Sequence, residues 1–225
     1  DLLWAVGSMD EQQKWILLTD QNLQLIIQAM ACHLENDELQ RAGCGMLWFL
    51  SGFGDGKRMI GQAGGIPIIL NAMLAHNEST AIQKEALTTL KNLATEPFNK
   101  PILAELDCVR VVTYSLWINY RHPLVISSAL SALNNIAVDS RTKSVAPLPT
   151  EILDIVLSAM RRFSNDEILQ KNACFYLKSC TYLAENRFLM NQRAAELLFV
   201  LQQAATKFPQ SCQERARSII KKIER

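Results

Sequence analysis

Along residues 79–96 the apolar positions Ile82, Ala86, Leu87, Leu90, Leu93 and Ala94 recur at three- and four-residue steps. That spacing predicts an amphipathic helix with one buried stripe. Its end carries a pattern: a residue X at Thr88, leucine two positions later, and asparagine at Asn92. The same ending returns with X at Trp4, Trp48, Ser131, Phe175 and Ser218, and the fourth residue on is Ser8, Gly52, Asn135, Ser179 and Lys222. Successive X positions are 44, 40, 43, 44 and 43 residues apart. So regular a beat predicts a repeat architecture, in which each unit buries its apolar face against its neighbours.

A second motif keeps the beat. Ile27-Gln28-Ala29-Met30 through His33 matches Leu70-Asn71-Ala72-Met73 through His76, and Leu157-Ser158-Ala159-Met160 repeats it, with Val112–Leu116 a weaker copy. Each unit then reads as a short helix, a medium helix with Ala-Met, and a long helix ending in the X motif. The expected units are a partial repeat over 1–10 and repeats near 11–54, 55–96, 97–139, 140–183 and 184–225. In the first, helices are expected near 12–18, 21–34 and 37–53, with Asn36-Asp37 capping the third. In the second, Gly64-Gly65 ends a short helix and Pro67 fits the first turn of the next. Asp107-Cys108 replaces the glycine pair one unit on, and the long helix there covers 124–138. Pro147 and Pro149 disfavour a first helix in the fourth unit, so Ser140–Thr150 is expected to be a loop or a single turn. At the start, Leu2, Leu3 and Val6 face no preceding unit. With no initiator Met and no signal peptide, this reads as a fragment of a longer protein.

Three helices in about 42 residues resemble the armadillo repeat family, and the likeness runs through essentially the whole chain. Gly64-Gly65-Ile66 resembles its inter-helix hallmark. So do the long-helix endings over 86–94 and 129–137. The resemblance implies an all-α fold, an armadillo-type α-solenoid wound as a right-handed superhelix, whose third helices line a concave groove. It further implies that a tryptophan at X and an asparagine four residues later hold an extended peptide. This chain keeps the asparagine at Asn92 and Asn135 and the tryptophan at Trp4 and Trp48, with Phe175 close to it, but no unit has both. A narrower likeness joins the Ala-Met helix to residues 44–51. It is to the C-terminal armadillo-type region of serine/threonine kinase-like domain-containing proteins, and somewhat to units of large leucine-rich-repeat kinases.

Composition changes this picture little. Apolar residues are 49% of the chain, charged residues 20%, and the net charge is +1, which fits a folded domain with no general attraction to nucleic acid or acidic membrane. No apolar run is long enough to span a bilayer. Six cysteines at 32, 44, 108, 174, 180 and 212 form no Cys-x-x-Cys pair. They read as buried hydrophobes in a reducing compartment: the cytoplasm, with the nucleus as the alternative. His33 and His76 read as structural residues at helix ends and not as a metal pair. Trp15 and Trp117 read as core. Phosphate loops, metalloprotease helices and nucleophile elbows are absent from the sequence, so no catalysis and no cofactor are expected. The basic residues at 161–162 and 215–225 lack the interleaved aromatics of a nucleic-acid platform.

The expected binding surface is one stripe along the third helices: Trp48, Glu85, Thr88, Asn92, Glu96, Ser131, Asn135, Asp139 and Phe175. Four-residue steps should align Asn92 with Glu96 and Asn135 with Asp139. Amides would clamp a backbone, and the acids would meet a lysine, an arginine or a free amino terminus. The alternative is that the asparagines brace neighbouring units and the acids are solvated helix ends. At the level of function the leading expectation is a non-enzymatic module for protein segments. Its rival is a structural or regulatory solenoid appended to a catalytic, kinase-like domain, whose partners are further repeats or domains of the same chain.

Overall fold

The computed structural model describes residues 18–52, 54–139, 144–145 and 147–223. The expected helix at 12–18, and the readings that rest on Leu2, Leu3, Trp4, Val6, Ser8 and Trp15, fall almost wholly outside them. By its own packing the chain forms two compact units, residues 1–115 and 116–225. The first holds α1 (Asp20–Cys32), α2 (Asp37–Leu50), α3 (Gly56–Gln62), α4 (Gly65–Ala75), α5 (Thr80–Leu93), α6 (Asn99–Glu105) and most of α7 (Cys108–Ile118). The second holds α8 (Pro123–Ala137), α9 (Thr150–Arg162), α10 (Glu167–Cys180), α11 (Ala184–Gln192), α12 (Ala194–Lys207), a π-helical turn (Pro209–Gln213) and α13 (Glu214–Ile223).

Local chemistry starts these helices. Asn36 accepts the amide of Leu39 at 3.0 Å, and Asp166 that of Leu169 at 3.0 Å, each satisfying a donor that the first turn leaves open. Ser79 stands at the corresponding place before α5, but its side chain makes no cap bond. Before α4, Gly64 takes φ +85°, a left-handed conformation that glycine adopts without a Cβ penalty. One unit on, Asp107 holds the left-handed value of +48° in its place, and its carboxylate accepts Arg110 Nε at 2.9 Å.

The core of the first unit is built where α2 lies along α5. Cys44, Leu47 and Leu50 from one helix, and Ala86, Leu87, Leu90 and Leu93 from the other, are fully buried. Among these apolar side chains sit buried glutamines. Gln40 Nε2 donates to the carbonyls of Met30 and His33 at 2.7 and 2.9 Å. Gln83 does the same to Met73 and His76 at 2.8 and 3.0 Å, and Gln170 to Met160 and Phe163 at 2.7 and 3.1 Å. The Ala-Met motif thus has a structural counterpart. Its methionine carbonyl lies in the last turn of the second helix, where helical partners run out, and a glutamine of the third helix supplies the donor.

In the second unit α10 packs on α8 and, on its other side, on α13 and the π-helical turn. Two expectations change here. Among the described residues of the loop expected over 140–150, Ser144–Val145 pair antiparallel with Val138–Asp139, while 147–149 are irregular. The prolines lie beyond this bridge, so they bar a helix without preventing pairing, and Pro149 then stands at the N-cap of α9. Trp117 is 55% exposed and is not core. Along α7 the buried positions are Cys108, Val111, Val112, Ser115 and Leu116, and Trp117 lies off that stripe.

Candidate protein-interaction surfaces

The nine expected contact residues divide between the units: Trp48, Glu85, Thr88, Asn92 and Glu96 in the first, Ser131, Asn135, Asp139 and Phe175 in the second. In the first unit they stand on α2, α5 and the turn after it. Trp48 is 43% exposed. Thr88 is half-buried and spends its hydroxyl proton on Lys84 of its own helix at 2.7 Å. Glu85, one turn earlier, is half-buried with Oε2 shut off from solvent and without a hydrogen-bond partner. Burial holds its carboxyl above the ordinary value of 4.5, against the opposing pull of Lys84 and Arg41.

Asn92 is occupied. Its Nδ2 donates to Ser51 Oγ at 2.9 Å, and that hydroxyl donates to the Trp48 carbonyl at 2.6 Å. The amide therefore ties the end of α5 to the end of α2. The second unit repeats the device with other chemistry. Ser179, at the equivalent place on α10, donates to Asn134 Oδ1 at 2.6 Å, and Lys222 on α13 donates to Thr181 Oγ1 at 3.1 Å. At Asn92, Ser179 and Lys222 the fourth position of the X motif thus reaches back to the end of the preceding third helix.

Helix ends also break the expected four-residue alignments. α5 stops at Leu93, so Glu96 lies in the following turn, where its amide donates to the Leu93 carbonyl at 3.1 Å. α8 stops at Ala137, so Asp139 stands in the bridge opposite Ser144 and not on the helix. Ser131 and Asn135 are half-buried on α8, and Asn134 Nδ2 donates to Asn135 Oδ1 at 3.3 Å. Phe175 is 42% exposed on α10, nearly matching Trp48 at the same repeat position.

The basic C-terminal helix departs from its expected character. Arg215 lies 5.2 Å from the centroid of Phe175, and Lys222 lies 3.9 Å from that of Tyr182. Cations of α13 therefore lie over Phe175 of α10 and over Tyr182 in the turn after it, a pairing made between helices. Sequence position hides the pairing because facing side chains on adjacent helices are not at equivalent repeat positions: Ser218, not Arg215, is the counterpart of Phe175. The buried glutamines, by contrast, had a legible signal. Gln40 and Gln83 recur one repeat apart, and Gln170 two repeats later, on otherwise apolar stripes.

Chemistry of other kinds finds little footing. Five cysteines are buried, Cys32 is exposed, and all six are unpaired thiols. Burial pushes Cys44, Cys108 and Cys180 up to about 12, away from the reactive thiolate. His76 Nε2 lies 2.7 Å from the Leu34 carbonyl and its Nδ1 3.5 Å from Asp37, so it links one inter-helix turn to the preceding one. Among the described residues no group of three metal-ligating side chains converges, and no helix is long and apolar enough to cross a membrane.

Residues 55–95 match the Armadillo/beta-catenin-like repeat family. That segment, α3 to α5 with the turn that follows, is an armadillo repeat, and the chain's architecture is accordingly all-α and of armadillo type. Repeats of this kind are protein-interaction units and in general carry no catalytic machinery. No curated protein matches the chain. The family match extends to the repeat alone and adds nothing for the kinase-like resemblance.

Proposed function

We propose that the chain is a non-enzymatic protein–protein interaction module, taking a segment of a partner protein on the faces of its third helices. The observation that carries this reading is the pair of large rings at one repeat position, Trp48 on α2 and Phe175 on α10, each about two-fifths exposed on a helix whose opposite face is core. Exposed aromatics of this kind anchor interfaces, where they contribute area at small entropic cost. Around Trp48 the partner side chains are Glu85, Thr88 and Glu96. Glu85 and Glu96 favour a lysine, an arginine or a free amino terminus. Asn92 contributes by holding the helix ends in place through Ser51, and Asn135 stands half-buried at the equivalent position of α8. In the second unit Ser131, Asp139 and Phe175 complete the set.

The test is affinity capture followed by quantitative mass spectrometry, with wild type and Trp48→Ala compared. Proteins retained by wild type should fall by more than about tenfold on the variant, the loss of one aromatic anchor of roughly 2 kcal/mol. Far-UV circular dichroism should be unchanged, since Trp48 lies off the core stripe. Equal retention by the two proteins would overturn the proposal.

A further inference from the structure

Lys171, Phe175 and Lys178 of α10 are followed by Tyr182 in the turn beyond it, at four-, three- and four-residue steps; Arg215, Ser218 and Lys222 of α13 follow Ser211 of the π-helical turn at the same steps. Phe175 and Tyr182 are 42% and 48% exposed. Their rings are covered by Arg215 and Lys222, so two cations are held at fixed places on the surface. Arg215 also donates to the Ser211 carbonyl at 2.8 Å, and Lys222 to Thr181, which fixes both further. Among the described residues Lys171, Arg215 and Lys222 form no ion pair. Lys178 meets Glu214 at 3.6 Å, but that carboxylate is 91% exposed, where such a pair contributes little. Glu167, also on α10, accepts the Ser211 hydroxyl at 2.5 Å. Positive charge is therefore concentrated on this face in a chain whose net charge is only +1.

From this charge and geometry we infer that the α10–α13 face is a docking site for an acidic protein segment, with Arg215 and Lys222 each receiving one carboxylate. The two cations are seven residues apart on one helix, about 10.5 Å along its axis. A polyproline II segment, with three residues per turn and a rise of about 3.1 Å each, brings every third side chain to one face at about 9.3 Å, close to that distance. The site accordingly selects two acidic side chains at positions i and i+3. Single-stranded nucleic acid fits less well. Its bases need open ring faces for stacking, and here those faces carry the cations. The inference deepens the reading of third-helix faces as interaction surfaces and gives the second unit a partner chemistry opposite to that of Glu85 and Glu96.

The test is fluorescence anisotropy of the whole chain with a labelled Gly/Ser dodecapeptide bearing two glutamates three residues apart. A twin with two glutamines is the control. Saturable binding of the glutamate peptide is expected, at least fivefold tighter than its twin and weakened by added salt. Arg215→Gln/Lys222→Gln should lose at least tenfold. Lys171→Gln, an exposed single change that leaves the rings and their cations in place, should lose about two- to fivefold. Trp48→Ala should bind the peptide as wild type does, which separates this site from the reading of the first unit. No saturable binding, equal binding of the two peptides, or Arg215→Gln/Lys222→Gln and Lys171→Gln both matching wild type would overturn the inference. Tighter binding of an oligouridylate that displaces the peptide would overturn it in favour of nucleic acid.

Discussion

Glu85 concentrates the tension between folding and binding in one side chain. It stands on the α5 face with one carboxylate oxygen buried and unpartnered, and burial raises its pKa above 4.5. A carboxyl raised in the folded state binds its proton more tightly there than in the unfolded chain. Its relative contribution to stability is therefore complete below the ordinary carboxylate range and is lost as pH rises through the folded value. Glu85→Gln removes this penalty. The variant should unfold at a higher urea concentration than wild type at pH 7, and the gap should close towards pH 4. Urea melts at the two pH values check this; an equal or lower midpoint at pH 7 would contradict it.

At the scale of the element, the glutamine on the third helix joins that helix to the end of the one before it. Gln83 has the fullest set: two carbonyls, and Ser115 donating to its Oε1 at 2.5 Å. Gln40 holds the same two carbonyls, but its Oε1 has no partner, because Ala72 stands one repeat before Ser115. Gln83→Ala should cost roughly 2–3 kcal/mol, the price of leaving a buried carbonyl and a hydroxyl unpaired. Gln40→Ala should cost less, since it removes an orphaned acceptor along with the donor. Chemical denaturation of both variants gives the order directly, and a larger loss for Gln40→Ala would contradict it. Helix placement was largely legible in the sequence, because apolar stripes and breakers such as Asn36, Gly64 and Pro149 act locally. Helix ends were less so. α5 and α8 each stop before the acid assigned to their stripe, since the last turn is decided by what its carbonyls meet and not by side-chain periodicity.

For the molecule as a whole, the repeat beat identified the architecture, and the match over 55–95 makes one repeat explicit. The candidate surface was legible only in part. Trp48 and Phe175 follow from their repeat position, but the role of Asn92 does not: only the fold shows that its amide is used on Ser51. The cation–ring pairs of α10 and α13 were out of reach for the same reason, since sequence gives equivalent positions and contacts join non-equivalent ones. The central claim is that third-helix faces are where partners bind. Hydrogen–deuterium exchange of the chain, alone and with a captured partner, measures this most directly. The account predicts that protection appears in α2 and α5 or in α8, α10 and α13, with the second helices α1, α4, α7, α9 and α12 unchanged. Protection confined to those second helices would contradict it.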